Sequence, residues 1–309
     1  MRNLTRREWS GLALGGLAAG LLARTTGAAD PGAWAGARID SKFKGVRIGA
    51  QSYCFRDRPL DDAVRGMADV GLGLVEVWQG HLEPRRDSRQ MDEPARRAAR
   101  EELRKWRLTT PLAEFREAGD KFRQAGIEVY AYNYSFRDDF TDPEIDRGFE
   151  MAKALGAKAL TASSNQKTVP RIDSFARKHE MRVGLHNHSR IDPNEFATAE
   201  DLEKAMAASS KHVCTNLDIG HFAAANQDAL AFIEKHHDRI VTIHVKDRKR
   251  DQGAAVPFGT GDAPIKDVLN LLSRSGWPIP ANIEYEYEGT DTVAEVKRCL
   301  AYCKQALGA

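Results

Sequence analysis

Apolar runs, cysteine and net charge are all in short supply in this 309-residue chain. The apolar run from Gly11 to Ala23 is thirteen residues, against the roughly 20 that a transmembrane helix needs, so no stable membrane span is expected. Four cysteines (Cys54, Cys214, Cys299 and Cys303) do not make a disulfide framework at this size. Cys299 and Cys303, one helical turn apart, read as small core residues, and Cys54 as an outward residue under a helix. With 46 basic residues against 44 acidic ones the net charge is +2, which gives no global field for nucleic acid or an anionic membrane. The basic cluster between Arg85 and Arg107 is interleaved with Asp87, Asp92, Glu93, Glu101 and Glu102, as on a solvated helix face. No Gly-rich phosphate turn follows the first strand-like run, which ends in Tyr53-Cys54-Phe55-Arg56; this argues against an open dinucleotide-binding sheet.

The N-terminus has the form of an export signal. Thr5-Arg6-Arg7-Glu8-Trp9 precedes the apolar run, and small residues at Gly27 and Ala29 offer a cleavage site before Asp30. The paired arginines resemble the twin-arginine motif, with Trp9 where that motif prefers Phe. The expected organisation is a signal over 1–29, a polar linker over 30–45 and one folded domain over 46–309, exported to the periplasm or another extracytoplasmic space.

Within 46–309, strand-like and helix-like stretches alternate eight times. Strands are expected at Val46–Phe55, Leu72–Gln79, Ile127–Phe136 and Ala157–Ser163. Four more end in GLHNH (Gly184 to His188), NLDIGH (Asn216 to His221), TIHVKD (Thr242 to Asp247) and NIEYE (Asn282 to Glu286). Helices are expected between them, including a long charged region from Pro94 to Ala125 broken near Thr109–Pro111, and one from Pro143 to Leu155 with Asp142 as N-cap. Strict alternation implies parallel strands with right-handed crossovers, and eight units favour a single α/β domain closed as a (β/α)8 barrel.

Side-chain alternation along a strand then assigns the inner row. Ile243 and Val245 oppose Thr242, His244 and Lys246; Ile283 and Tyr285 oppose Asn282, Glu284 and Glu286. Active sites of such barrels lie at the carboxyl ends of the strands. His186, Asp218, His244 and Glu284 are therefore the candidate metal ligands, a mixed nitrogen and oxygen set that suits one divalent ion (Mn, Zn, Co, Fe or Mg) better than calcium. His188, Lys246, Glu284 and Glu286 are candidate catalytic groups. His221, in Asp-x-x-His, is a candidate substrate contact. Glu76, Trp78, Tyr132 and Tyr134 are assigned by parity to the inner row, where aromatic walls with polar tips suit a sugar ring. His81 follows the second strand as a further candidate. Each of these side chains read alone is equally a core or rim residue; four polar strand ends in succession are harder to read that way. Phe258-Gly259-Thr260-Gly261-Asp262 reads as a tight turn rather than a phosphate site.

These runs resemble the xylose isomerase-like TIM-barrel superfamily of sugar isomerases and epimerases, inosose dehydratase and endonuclease IV. The resemblance covers roughly Ile48 to Leu307, with its specific parts in Asp218-Ile219-Gly220-His221, His244-Val245-Lys246-Asp247 and Ile283-Glu284. It implies that Asp218, His244 and Glu284 bind one divalent metal and that His221 contacts substrate. Epimerases of this type carry Glu at the end of strand five; this chain has His186 there, within His-Asn-His, similar to the His-rich run of inosose dehydratase.

The expectation is a metal-dependent isomerase or epimerase acting through an enediolate on a small carbohydrate, an unphosphorylated keto-sugar or oxidised glycoside. A lyase or dehydratase on the same substrate class is the alternative that His186 favours, and a non-catalytic sugar-binding barrel is another. Nucleic acid is not an expected partner: the several further His ligands of a three-metal endonuclease site are not evident, and there is no basic groove.

Overall fold

The computed structural model describes residues 37–84 and 91–309. The expected signal, residues 30–36 of the linker and the basic stretch 85–90 lie outside them. Among the described residues there are nine strands: β1 Lys42–Phe43, β2 Val46–Gln51, β3 Leu74–Trp78, β4 Glu128–Asn133, β5 Ala159–Ala162, β6 Arg182–His186, β7 Val213–Asp218, β8 Ile240–Val245 and β9 Ala281–Ile283. The short β1 pairs antiparallel with β2. The other eight run parallel in chain order and close by β2 pairing with β9, the eight-stranded barrel expected. The described residues between and after them form the helices α1 Leu60–Val70, α2 Glu93–Thr109, α3 Leu112–Gln124, α4 Asp142–Leu155, α5 Val169–His179, α6 Ala199–Ala207, α7 Ile219–Ala224, α8 Ala229–His236, α9 Ile265–Ser275 and α10 Thr292–Leu307. Among the described residues no helix is long and apolar enough to cross a membrane.

Alternation supplies the main core. Ile48, Val75, Val77, Leu160, Val183, Leu185, Leu217, Ile243, Val245 and Ile283 are fully buried in it together with helix residues such as Phe122, Phe149 and Leu269. Cys299 and Cys303 belong to the same core as free thiols. A small second cluster of Ala159, Cys214 and Val241, with Tyr130 against it, occupies the amino-terminal end of the strands.

Several expected boundaries move. The first strand stops at Gln51, whose side chain accepts from the Tyr53 amide and turns Ser52–Phe55 into a single 3₁₀ turn. The N-cap of α4 is Thr141 rather than Asp142: Thr141 Oγ1 accepts the Glu144 amide while the Glu144 carboxylate takes the Thr141 amide, a reciprocal capping box. The linker boundary also shifts, because Ile39 and Ser41 already bond to Gly126 and Ile48 of the barrel.

Two strands carry an extra residue. Val75 pairs with Val129 but Glu76 pairs with Ala131, which makes Tyr130 a bulge in β4. Thr215 pairs with Ile240 but Asn216 pairs with Thr242, which makes Val241 a bulge in β8. A bulge shifts the inward row by one position from there on, and this decides which side chains reach the barrel mouth.

Candidate active site

His186 closes β6, Asp218 closes β7, His244 is the fifth residue of β8, and Glu284 follows β9 directly. All four are buried. One donor atom from each lies within 4.8 Å of the others. Half of 4.8 Å is 2.4 Å, the shortest radius at which an ion can touch the most distant pair, within the roughly 2.0–2.6 Å range of protein–metal bonds to nitrogen and oxygen.

Two observations test whether these groups suit a cation. His186 Nδ1 and Asp218 Oδ2 are buried atoms without a hydrogen-bond partner, although such atoms almost always find one. Asp218 Oδ2 does lie 3.0 Å from Lys246 Nζ, an ion-pair distance outside hydrogen-bonding geometry. His244 stands between carboxylates, with Nε2 2.8 Å from Glu76 Oε2 and Nδ1 3.1 Å from Glu284 Oε2. If Nε2 carries the proton, the Nδ1 lone pair faces Glu284, a contact that a divalent ion between them relieves. The donor set fits a resident metal.

Electrostatics follow from burial and from Lys246, itself fully buried. Its Nζ lies 2.7 Å from Glu284 Oε2, 2.7 Å from Glu286 Oε2 and 3.1 Å from His221 Nε2. Burial pushes the Asp218 carboxyl up to about 7, against the pull of Lys246 and with a further push from Glu284. Burial also raises Glu284, but Lys246 and His244 outweigh it and hold that carboxylate well below its usual range. His244 is lowered by burial, yet Glu76 and Glu284 carry it well above an ordinary imidazole. Burial, then Lys246, lowers His188 to about 4 and His221 well below its usual value. The last two are therefore neutral rings near neutral pH.

His221 sits in the first turn of α7, where its amide donates to Asp218 Oδ1 at 2.6 Å. Arg248 reaches its Nδ1 at 2.6 Å. The loop carrying Arg248 is held by Asp247, whose carboxylate accepts the amides of Gly259, Gly261 and Ala263 at 2.7, 3.0 and 3.2 Å. The Gly-Thr-Gly turn thus serves an internal anion, Asp247, as a turn rather than as a phosphate cradle.

Above these groups opens a cavity of about 400 Å³. His186, His188, His221, His244, Lys246, Glu284, Glu286 and Trp78 line it, so most of the expected residues converge. Three do not. Tyr132 and Tyr134 face away from the mouth into the core, Tyr132 against Phe115 and Tyr134 against Phe136 and Phe140, because the bulge at Tyr130 reverses the phase of β4. Asn133 and Ser135 line the mouth in their place. Glu76 is inward but fully buried beneath the ligand set, bonded to His244 rather than open to substrate. His81 is not in the mouth either: its ring nitrogens face Ser52 Oγ at 2.9 Å and the Phe55 carbonyl at 3.2 Å.

Tyr53, Arg137 and Arg248 join the site without having been expected there. Tyr53 meets Trp78 edge-on at 5.0 Å and completes an aromatic wall. Its signal was the polar–aromatic end of the first strand, hidden by the 3₁₀ turn. Arg137 lines the mouth from the loop after β4, and no local pattern marked it.

The family model described as xylose isomerase-like TIM barrel matches residues 64–305. The chain belongs to this family. An L-ribulose-5-phosphate 3-epimerase, UlaE, of Escherichia coli O157:H7 is 24% identical over 193 residues, 60% of this chain and 65% of that one. An inosose dehydratase of Clostridium tetani is 25% identical over 132 residues, 36% of this chain and 43% of that one. The chain thus spans less than two thirds of the length of either relative. Among solved structures, the IOLI protein with a bound zinc atom superposes with a TM-score of 0.62 at 15% identity, covering 85% of this chain and 98% of that one. That likeness is one of fold. This xylose isomerase-like barrel is accordingly related to enzymes that process sugars.

Proposed function

We propose that this protein is a divalent-metal-dependent carbohydrate isomerase or epimerase. Its substrate is an unphosphorylated keto-sugar or oxidised glycoside, and the reaction passes through an enediolate. The observation that carries this reading is the set of His186, Asp218, His244 and Glu284 at the floor of the mouth, with two of their buried atoms lacking a hydrogen-bond partner. When bound there, a divalent ion supplies Lewis-acid polarisation of a sugar carbonyl.

The residues around the set divide the remaining work. Tyr53 and Trp78 form one wall, against which the apolar face of a sugar ring packs. His221, held by Arg248, offers a neutral ring to a substrate oxygen. His188 is neutral at working pH and its side chain is 36% exposed, so it can accept the proton from the carbon next to the carbonyl. Lys246 offers N–H groups to the oxygen on which negative charge develops. His188 can give that proton back, or Glu286, 2.7 Å from Lys246 and with its side chain 31% exposed, can deliver one that it has first taken from water. Return to a different carbon isomerises the sugar; return to the other face of the same carbon epimerises it.

Two features support an unphosphorylated substrate. The loop most like a phosphate cradle is filled by Asp247, and residues 1–29 carry the proposed export signal, which would take the enzyme out of the cytoplasm.

A second reading has its own observation. His186 stands at the end of β6 where a proton-moving carboxylate is expected of an epimerase, and the chain is similar to an inosose dehydratase over 132 residues. On this reading the same enediolate expels a β-oxygen, as a lyase or dehydratase does.

Proton NMR in D2O, with keto-sugars and keto-glycosides and the metal-loaded protein, separates the two. Deuterium entering at carbon without loss of water or aglycone is the expected result. Loss of water or aglycone transfers the enzyme to the second reading, and no exchange with any of these substrates overturns both.

A further inference from the structure

The interior of a barrel of this kind is ordinarily filled by bulky branched aliphatic side chains. Directly beneath the ligand set, this chain places a carboxylate instead. Glu76, on β3, is 0% exposed. Its Oε1 faces Thr161 Oγ1 at 2.6 Å, Gln51 Nε2 at 3.2 Å and Asn216 Nδ2 at 3.4 Å. Its Oε2 faces His244 Nε2 at 2.8 Å and Asn282 Nδ2 at 3.2 Å. These donors come from β2, β5, β7, β8 and β9, so a single side chain joins six of the eight barrel strands.

We infer that Glu76 is a positioning residue for the proposed metal: it fixes the ring and tautomer of His244 and strengthens that ring as a ligand. The inference rests on the metal reading above and adds to it a residue that touches neither ion nor substrate.

The tautomer follows from the contacts. A lone pair on Nε2 would face a carboxylate oxygen at 2.8 Å, which is repulsive, so Nε2 carries the hydrogen and donates to Glu76. Asn216 Nδ2 also approaches Nε2, at 3.1 Å, but a protonated Nε2 has no lone pair for it, and that amide serves Glu76 Oε1. Once Nδ1 has given up its own proton, its lone pair is aimed at the side where Glu284 Oε2 lies at 3.1 Å and Asp218 Oδ2 at 4.0 Å. A carboxylate behind an imidazole makes it a more basic ligand and holds its orientation, and loss of such a partner typically costs about 10–100-fold in metal affinity.

The test uses the full chain, titrated calorimetrically with Zn²⁺ and with Mn²⁺, and ¹⁵N NMR of its histidines without metal. Glu76→Gln keeps the shape and removes the charge. It is expected to weaken binding by about 10–100-fold with the one-ion stoichiometry retained and to move the His244 Nε2 resonance, while Glu76→Asp recovers part of the affinity. Wild-type affinity together with an unmoved Nε2 signal in a folded Glu76→Gln protein overturns the inference. If wild type itself binds neither ion, the metal reading fails, and the NMR arm, which follows the Nε2–H donated to Glu76 whether or not Nδ1 is also protonated, still decides whether Glu76 holds the His244 ring. Should Glu76→Gln not fold, Thr161→Val withdraws one donor from Glu76 without touching His244. It is expected to weaken binding on the order of 3–10-fold, and an unchanged affinity overturns the inference.

Discussion

Lys246 Nζ lies 2.7 Å from Glu284 Oε2, so one of the carboxylates offered to an ion already faces a buried ammonium. The same ammonium is 3.0 Å from Asp218 Oδ2. Removing one partner of a buried ion pair leaves the other charge uncompensated, at a cost of about 3–5 kcal/mol. Lys246→Met is therefore expected to destabilise the metal-free protein by roughly that amount. The site becomes more negative, so added Zn²⁺ should restore more stability than it adds to wild type. Thermal unfolding with and without the ion checks this; a weaker response of the variant to the ion would contradict it.

The site should bind metal more weakly as pH falls. In the metal-free protein Asp218 is pushed up to about 7 by burial, and His244 is raised because Glu76 and Glu284 outweigh burial. Both groups must release protons before they can ligate. Affinity is expected to climb as pH rises through about 7, with at least one proton released per ion just below neutrality. Calorimetry in buffers of different ionisation enthalpy measures that release.

Asp218 has the opposite effect on the stability of the metal-free chain. Its folded pKa stands above the ordinary carboxyl value of about 3.9, so between that value and about 7 the folded form keeps a proton that the unfolded form loses. Stability from this group falls as pH rises through that window. Asp218→Asn should lack that decline, while binding no ion. Unfolding curves across the window decide it.

The polar rows of β8 and β9 were legible in the sequence, and those of β4 were not, for one physical reason. In β8 the extra residue, Val241, comes before Thr242, His244 and Lys246, so alternation runs undisturbed through the residues that matter. In β4 the extra residue, Tyr130, comes just before Tyr132 and Tyr134, and a bulge leaves no mark in a run of alternating aromatics. Glu76 was assigned to the correct face, but its depth depends on donors from five other strands, which no local pattern contains. Arg137 and Arg248 lie on loops, where reach rather than periodicity brings a side chain to the mouth.

The loop after β8 is expected to depend on Asp247. A Cβ built on Gly261 would come within 1.9 Å of Asp247 Oδ1, so Gly261→Ala must displace the carboxylate or the turn. Asp247→Asn leaves the Gly259, Gly261 and Ala263 amides without a charged acceptor, where each such bond contributes about 1.5–3 kcal/mol. Both variants should lower activity through loss of the Arg248–His221 contact and shorten the life of this loop in hydrogen exchange. Wild-type exchange at Gly259 and Gly261 would contradict this account of the loop.

Gly80 lets the Trp78 indole lie across the chain, since a Cβ there would meet ring carbons at 2.3 Å. Trp78→Ala is expected to raise KM on the order of 10-fold, from an aromatic contact worth about 0.5–1.5 kcal/mol beyond its buried area, with a smaller change in kcat. Gly80→Ala should act in the same direction with the ring still present. A fall in kcat at constant KM would remove Trp78 from substrate binding.

The convergence of His186, Asp218, His244 and Glu284 on one ion is tested most directly by metal titration of the purified full chain, read calorimetrically and by elemental analysis, beside Asp218→Ala and His244→Ala. One divalent ion per chain in wild type and none in either variant is the expected result. No bound ion in wild type, or an ion retained by both variants, would contradict the account.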